Sequence, residues 1–72
     1  MEIVSLIAGT VVEVGVSAGQ LIRAGDEVAL VESMKMEIPV TSPVDGVVEG
    51  ILVAPGDAVS EGTPLVLLVI PG

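Results

Sequence analysis

The 72-residue chain has no cysteine, no histidine and no aromatic residue, and only Arg23 and Lys35 are basic. Each absence closes a class of explanation. Without cysteine there is neither a disulfide staple nor a thiolate zinc site. Without histidine the commonest metal ligand and the commonest general base are missing. The serines (Ser5, Ser17, Ser33, Ser42 and Ser60) therefore have no imidazole with which to form a Ser–His pair. Asp26 and Glu27 are adjacent carboxylates, but they sit beside a turn glycine, where acids are ordinarily solvated. No loop of the phosphate-cradling type is present, so catalysis by this chain alone is not expected.

Ten acidic residues against two basic ones give a formal charge of −8. Such a surface repels nucleic acid and anionic membranes, both of which are bound through clustered Lys and Arg. Half the chain is hydrophobic (51%), yet the longest strongly apolar run, LVLLVI at 65–70, falls far short of the roughly 20 residues a spanning helix needs. The opening MEIVSLIAGT carries an acid at position 2 and no basic n-region, so it is a poor signal peptide. A cytoplasmic, soluble protein is expected. With no aromatics, its core has to be built from Val, Ile, Leu and Ala.

What the chain does have is an internal repeat. A shift of 37 residues lays segment 9–32 on 46–69 without a gap, matching Gly9 to Gly46, Val11 to Val48, Gly19 to Gly56, Ile22 to Val59, Gly25 to Gly62 and Leu30 to Leu67. Two copies are too few for a solenoid; they suit a pseudo-two-fold single domain, 1–72, in which each half gives one layer of a shared core. The halves read as β. Val and Ile are abundant, and stretches such as TVVEVGV and GVVEGILV partly alternate. Pro55-Gly56 fits the centre of a type II turn, with Pro setting φ and Gly supplying a positive φ. Gly25 and Gly62 mark a second turn in each half. Strands are expected near 2–7, 10–16, 20–23, 27–33, 36–42, 46–53, 57–60 and 64–70, forming two small antiparallel sheets packed as a sandwich or flattened barrel. Pro39, inside one of them, points to an edge strand or a bulge.

Lys35 falls between the copies, at the tip of a hairpin spanning 33–37, and the shift carries it onto the last residue, Gly72. The two-fold arrangement would put the amine at one end of the molecule and the termini at the other. A lysine at a hairpin tip is usually a solvated charge. Here it is the only lysine, and Met34 and Met36 flank it. Those methionines either fold back over the end of the core, as methionine does readily, or form an apolar collar that a partner reads.

The stretch ESMKM resembles the attachment motif of biotin carboxyl carrier domains, in which the lysine of a Met-Lys-Met triplet takes biotin in amide linkage. AGDEVALVESMKMEIPV and SPVDGVVEGILVAPGDAVSEGTPLVLL are similar to the biotinyl/lipoyl attachment family along essentially the whole chain, and above all to its small free-standing members. The resemblance implies an all-β flattened barrel of two four-stranded antiparallel sheets. It makes Lys35 the biotinylated lysine and gives Met34, Met36 and Glu32 to recognition by a biotin protein ligase. It also implies a carrier of carboxyl groups between a biotin carboxylase and a carboxyltransferase. The chain has no inserted thumb, no Pro/Ala-rich linker and no carboxylase domain, so the carboxylase is a separate chain or this chain is a piece of a longer one. Ser33 stands where alanine is more usual.

Chemistry agrees with a carrier that others load. A lysine amine in water is deprotonated in only about one molecule per thousand near neutral pH, and nothing in the chain is placed to activate it. Two other readings remain. A lipoyl carrier shares the fold, although its motif usually has aspartate before the lysine and alanine after it. An unmodified barrel-sandwich module would serve as a scaffold and need no lysine at the tip.

Overall fold

A computed structural model describes residues 1–71. Within them the chain forms eight strands and no helix: β1 (Glu2–Val4), β2 (Gly9–Val14), β3 (Leu21–Ile22), β4 (Glu27–Ser33), β5 (Met36–Thr41), β6 (Gly46–Ile51), β7 (Ala58–Val59) and β8 (Pro64–Val69). They make two four-stranded antiparallel sheets. Sheet I has the order β1-β8-β6-β3 and sheet II the order β5-β4-β2-β7. All eight expected strands are present. Most stop short of the expected bounds because hydrogen bonding takes the backbone out of the ladder. After Val4 and Thr41, the buried Ser5 and Ser42 hydroxyls donate to the carbonyls of Ile7 and Val44, each at 2.6 Å, and turn the chain.

The duplication is visible in the pairing. Thr10↔Glu32, Val11↔Val31, Glu13↔Leu30 and Val14↔Ala29 between β2 and β4 recur, 37 residues on, as Val47↔Val69, Val48↔Leu68, Gly50↔Leu67 and Ile51↔Val66, with the bulge at the same place. The correspondence reaches further toward the N-terminus than Gly9. β1 on β8 repeats β5 on β4, so that Ile3↔Val66 matches Val40↔Ala29, and Ser5 matches Ser42. The halves are interleaved: β1 pairs with β8 and β3 with β6 across the repeat boundary.

The core follows the same rule. Ile3/Val40, Val11/Val48, Ile22/Val59, Val28/Leu65, Ala29/Val66 and Val31/Leu68 are all buried, shift-related pairs. Alternation turns most of these residues inward, while the consecutive buried pairs Val28–Ala29 and Leu65–Val66 sit where the register shifts and the alternation breaks. The two faces close on each other without aromatic filler. Gly56 has φ 96° behind Pro55, and Asp57 N–H donates to Ala54 O at 3.1 Å, as the type II reading requires. The turn is clasped from below, since Ala54 N–H donates to the Asp57 carboxylate at 2.9 Å. Gln20, Asp26 and Thr63 make the equivalent clasp in the other three glycine turns.

Pro39 lies on β5, the outer strand of sheet II, where a missing N–H leaves no gap in a ladder. The chain ends belong to sheet I: the Met1 amine donates to Leu68 O at 2.8 Å. Gly72, the position the shift pairs with Lys35, lies outside the described residues.

Candidate functional site

Lys35 stands on the hairpin that joins β4 to β5. The last paired residues are Ser33 and Met36, which leaves Met34 and Lys35 as a two-residue loop. Both have positive φ, 52° and 64°, the combination of a type I′ turn. That turn matches the twist of the flanking strands but normally recruits Asn and Gly. An L-residue in the left-handed region costs about 1–2 kcal/mol, so two side chains are being held at the tip against their local preference.

The strands supply the hold. Val31↔Ile38, Leu30↔Pro39 and Ala29↔Val40 fix the register below the loop, and Val31, Ala29 and Val40 are buried in the core. The loop itself is solvent-exposed. Met34 is 93% exposed and Met36 64%; neither folds over the end of the core. The two methionines are not equivalent, because Met34 is the first turn residue and Met36 the first residue of β5. Lys35 is exposed and draws no side-chain hydrogen bond among the described residues.

Glu32 is exposed on β4 and lies directly opposite Glu37 on β5, so two carboxylates face each other just beneath the amine. Like charges opposed across a ladder are mildly destabilising. Glu37 carries no signal by itself in the sequence; a two-residue loop at 34–35, which pairs 32 with 37, would have found it. The structure thus brings Glu32, Met34, Lys35 and Met36 together on one hairpin and adds Glu37.

Elsewhere there is little reactive chemistry. Among the described residues no group of three or more Asp and Glu could hold a metal ion, and no helix is long and apolar enough to cross a membrane. Ser5 and Ser42 are buried and bonded to backbone carbonyls. An apolar cleft opens between the outer strands β1 and β5, lined by Ile3, Leu6, Ile38 and Val40 among others; Lys35 does not line it.

A family model described as "Biotin-requiring enzyme" matches residues 1–68. The chain is 49% identical over 57 residues to a biotin-dependent acyl-coenzyme A carboxylase alpha3 subunit of Mycobacterium leprae, covering 79% of this chain and 10% of that one. It is 45% identical over 62 residues to the biotin/lipoyl attachment protein of Bacillus subtilis, covering 86% and 85%. A dihydrolipoyllysine-residue acetyltransferase component of the pyruvate dehydrogenase complex of Cupriavidus necator is 48% identical over 58 residues, 81% of this chain and 10% of that one. Among solved structures, the urea carboxylase of Kluyveromyces lactis contains a similar fold with a TM-score of 0.90 at 30% identity, over 96% of this chain and 6% of that one. The lipoyl domain of the 2-oxoglutarate dehydrogenase complex of Azotobacter vinelandii gives 0.75 at 28%, over 90% and 82%.

Proposed function

The chain belongs to the biotin/lipoyl attachment family, and from that premise we propose that it is a non-catalytic biotin carrier, modified on Lys35. The observation that carries the reading is the lone lysine on an exposed type I′ turn between two exposed methionines. Bound biotin would supply the capacity to accept a carboxyl group at one site and release it at another. The protein's own residues do three things. Lys35 provides the amine for the amide link. The β4–β5 register mounts that amine on a stiff base, so the arm has fewer conformations to search while keeping its reach. Met34 and Met36 offer a biotin protein ligase an apolar grip on either side, and Glu32 marks the acidic face beneath.

The partners in this reading are the ligase, a biotin carboxylase and a carboxyltransferase, working in the cytoplasm. Residues 1–72 act as one unit, with halves 9–32 and 46–69 and the attachment hairpin at 33–37. The chain spans a tenth of the mycobacterial carboxylase subunit it matches and 85% of the Bacillus protein, so both a separate carrier and a segment of a longer carboxylase accord with it. The second reading is lipoate on Lys35, favoured by the 48% identity to the acetyltransferase component. The Met-Lys-Met triplet and the higher TM-score against the carboxylase weigh toward biotin.

The intact mass of protein from its own cells, followed by peptide mapping around Lys35, separates the readings. A biotin adduct on Lys35 is expected, and a lipoyl adduct would move the function to acyl and electron transfer. Lys35→Arg should abolish the adduct and all cellular activity. Full activity in that variant would overturn the carrier reading in either form.

A further inference from the structure

The apolar cleft between β1 and β5 straddles the pseudo-two-fold axis, since its lining includes the shift-related pairs Ile3/Val40 and Leu6/Pro43. The two halves of the chain pass each other in opposite directions. Gly56 N–H donates to Val11 O, and its shift-related twin, Gly19 N–H, donates to Val48 O, each at 2.7 Å, so β2 and β6 run head to tail. Followed outward through the antiparallel pairings β6–β8–β1 and β2–β4–β5, this makes β1 run opposite to β5. Leu6, just past the end of β1, therefore lies at the same end of the cleft as Ile38, near the start of β5. Lys35 immediately precedes β5, so this is the end nearer the amine. Leu6 is 76% exposed, and its twin at the far end is Pro43, so the packing of the sheets does not require a leucine there. Along β5, Met36, Ile38 and Val40 share one face by the alternation of a strand. Exposure on that face falls from 64% at Met36, through half-buried Ile38, to 7% at Val40. An apolar track thus leads from the residue after Lys35 into the cleft.

We propose, resting on the carrier reading above, that this cleft is the docking site of the biotinyl group on Lys35 of the same chain, reached along Met36 and entered between Leu6 and Ile38. Reach permits it. Ile38 lies three residues of extended strand from Lys35, about 10 Å, while the lysine side chain and the five-carbon acyl chain together extend about 14 Å by ordinary bond lengths. Size and charge select this occupant. The cleft holds about 360 Å³, at the lower end of the roughly 300–1,000 Å³ of small-molecule sites. Glu2 is the only charged side chain lining it, and the whole chain carries −8. That charge turns away anionic ligands such as free fatty acids, whereas an amide-linked acyl group is neutral. The outer strands β1 and β5 also leave alternate backbone N–H and C=O groups unpaired, partners in kind for a ureido group. A short tether supplies an effective concentration in the millimolar range, enough to fill a weak site about half the time. Docking is therefore reversible, and the arm remains available to its partners.

Nuclear Overhauser spectroscopy tests this on the full chain, methyl-labelled at Ile, Leu, Val and Met. Lys35 is biotinylated with an active ester, and the species modified there alone is purified; the amino terminus of Met1 is the one other amine. Cross-peaks from the biotin ring to the Leu6 and Ile38 methyls are expected, and those to Ile38 should vanish in Leu6→Glu. Streptavidin should capture the biotinylated L6E chain about twofold faster than the parent, because its arm no longer spends part of its time docked. Leu52→Glu, at a leucine 49% exposed and outside the cleft, should leave both readings unchanged. An amide ¹H–¹⁵N spectrum with native dispersion shows that each variant is folded; should L6E unfold, Leu6→Ser provides the same test. Ring cross-peaks to Met34 and Met36 alone, or none at all, overturn the proposal, as does equal capture of L6E and parent. Cross-peaks in a lipoylated chain but not in the biotinylated one overturn it for biotin. The chemical route keeps the two readings apart: cells that leave Lys35 unmodified defeat the carrier reading without altering this result.

Discussion

At Met34 the chain accepts a backbone conformation its side chain disfavours. φ there is 52°, and the first loop position of a type I′ turn prefers Asn, which tolerates the left-handed region and hydrogen-bonds locally. Met34→Asn should thus stabilise the fold by about 0.5–1 kcal/mol, part of the penalty for a left-handed L-residue. Met34 is 93% exposed, so no core contact is lost in exchange. If a ligase grips the methionine, the same variant should be modified more slowly, with the catalytic efficiency of modification falling tenfold or more. Urea midpoints and ligase kinetics on one preparation give both numbers. A variant that is more stable and equally well modified would mean that Met34 is not read by the ligase. Lys35 and its neighbours were legible in the sequence because rarity and position both single them out. The strain was not legible, because nothing in the letters MK says that the loop is two residues long and left-handed.

At the scale of strands and turns, the glycines separate into those that need positive φ and those that need room. Gly9 belongs to the second kind. A Cβ placed on it would overlap the carbonyl oxygen of Glu32 and touch the Val31 side chain. The obstacle is backbone in the strand that leads into the Lys35 hairpin, so it has no flexible end to move aside. Gly50, on the equivalent pair of strands in the other sheet, would put its Cβ into open space. Gly9→Ala should therefore cost about 2–3 kcal/mol, the upper end of overpacking penalties, while Gly50→Ala should stay within about 0.5 kcal/mol of the parent. Denaturant titrations of the two variants check this; equal stabilities would show that β2 and β4 slide apart freely. The repeat matched Gly9 to Gly46 in the sequence and flagged both as significant. The reason, close approach to a neighbouring strand, needed the pairing. The strand ends after Val4 and Thr41 were hidden for a similar cause, since a serine reads as strand or bend until its hydroxyl partner is known.

At the scale of the whole molecule the two halves are copies in sequence but not separate units in space. Of the six strand pairings, only β2–β4 and β6–β8 lie within a half; β1–β8, β3–β6, β2–β7 and β4–β5 join the halves. The shift-related core pairs likewise draw one member from each copy. A chain this short buries only about 60% of its unfolded surface, which leaves no margin for half a core. Cutting the chain between Met34 and Lys35 removes one covalent bond at an exposed loop and leaves every pairing in principle available. Fragments 1–34 and 35–72 should each be unfolded alone, with collapsed amide dispersion and coil-like far-ultraviolet circular dichroism. Mixed at equal, high concentration they should recover the native spectrum, because each supplies the strands the other lacks. The intact chain should unfold in urea as a single transition at all probes. A fragment that folds on its own would show that the interleaved pairings stabilise a pre-existing half-barrel, and the fold would then be two cooperating units joined at the β4–β5 hairpin.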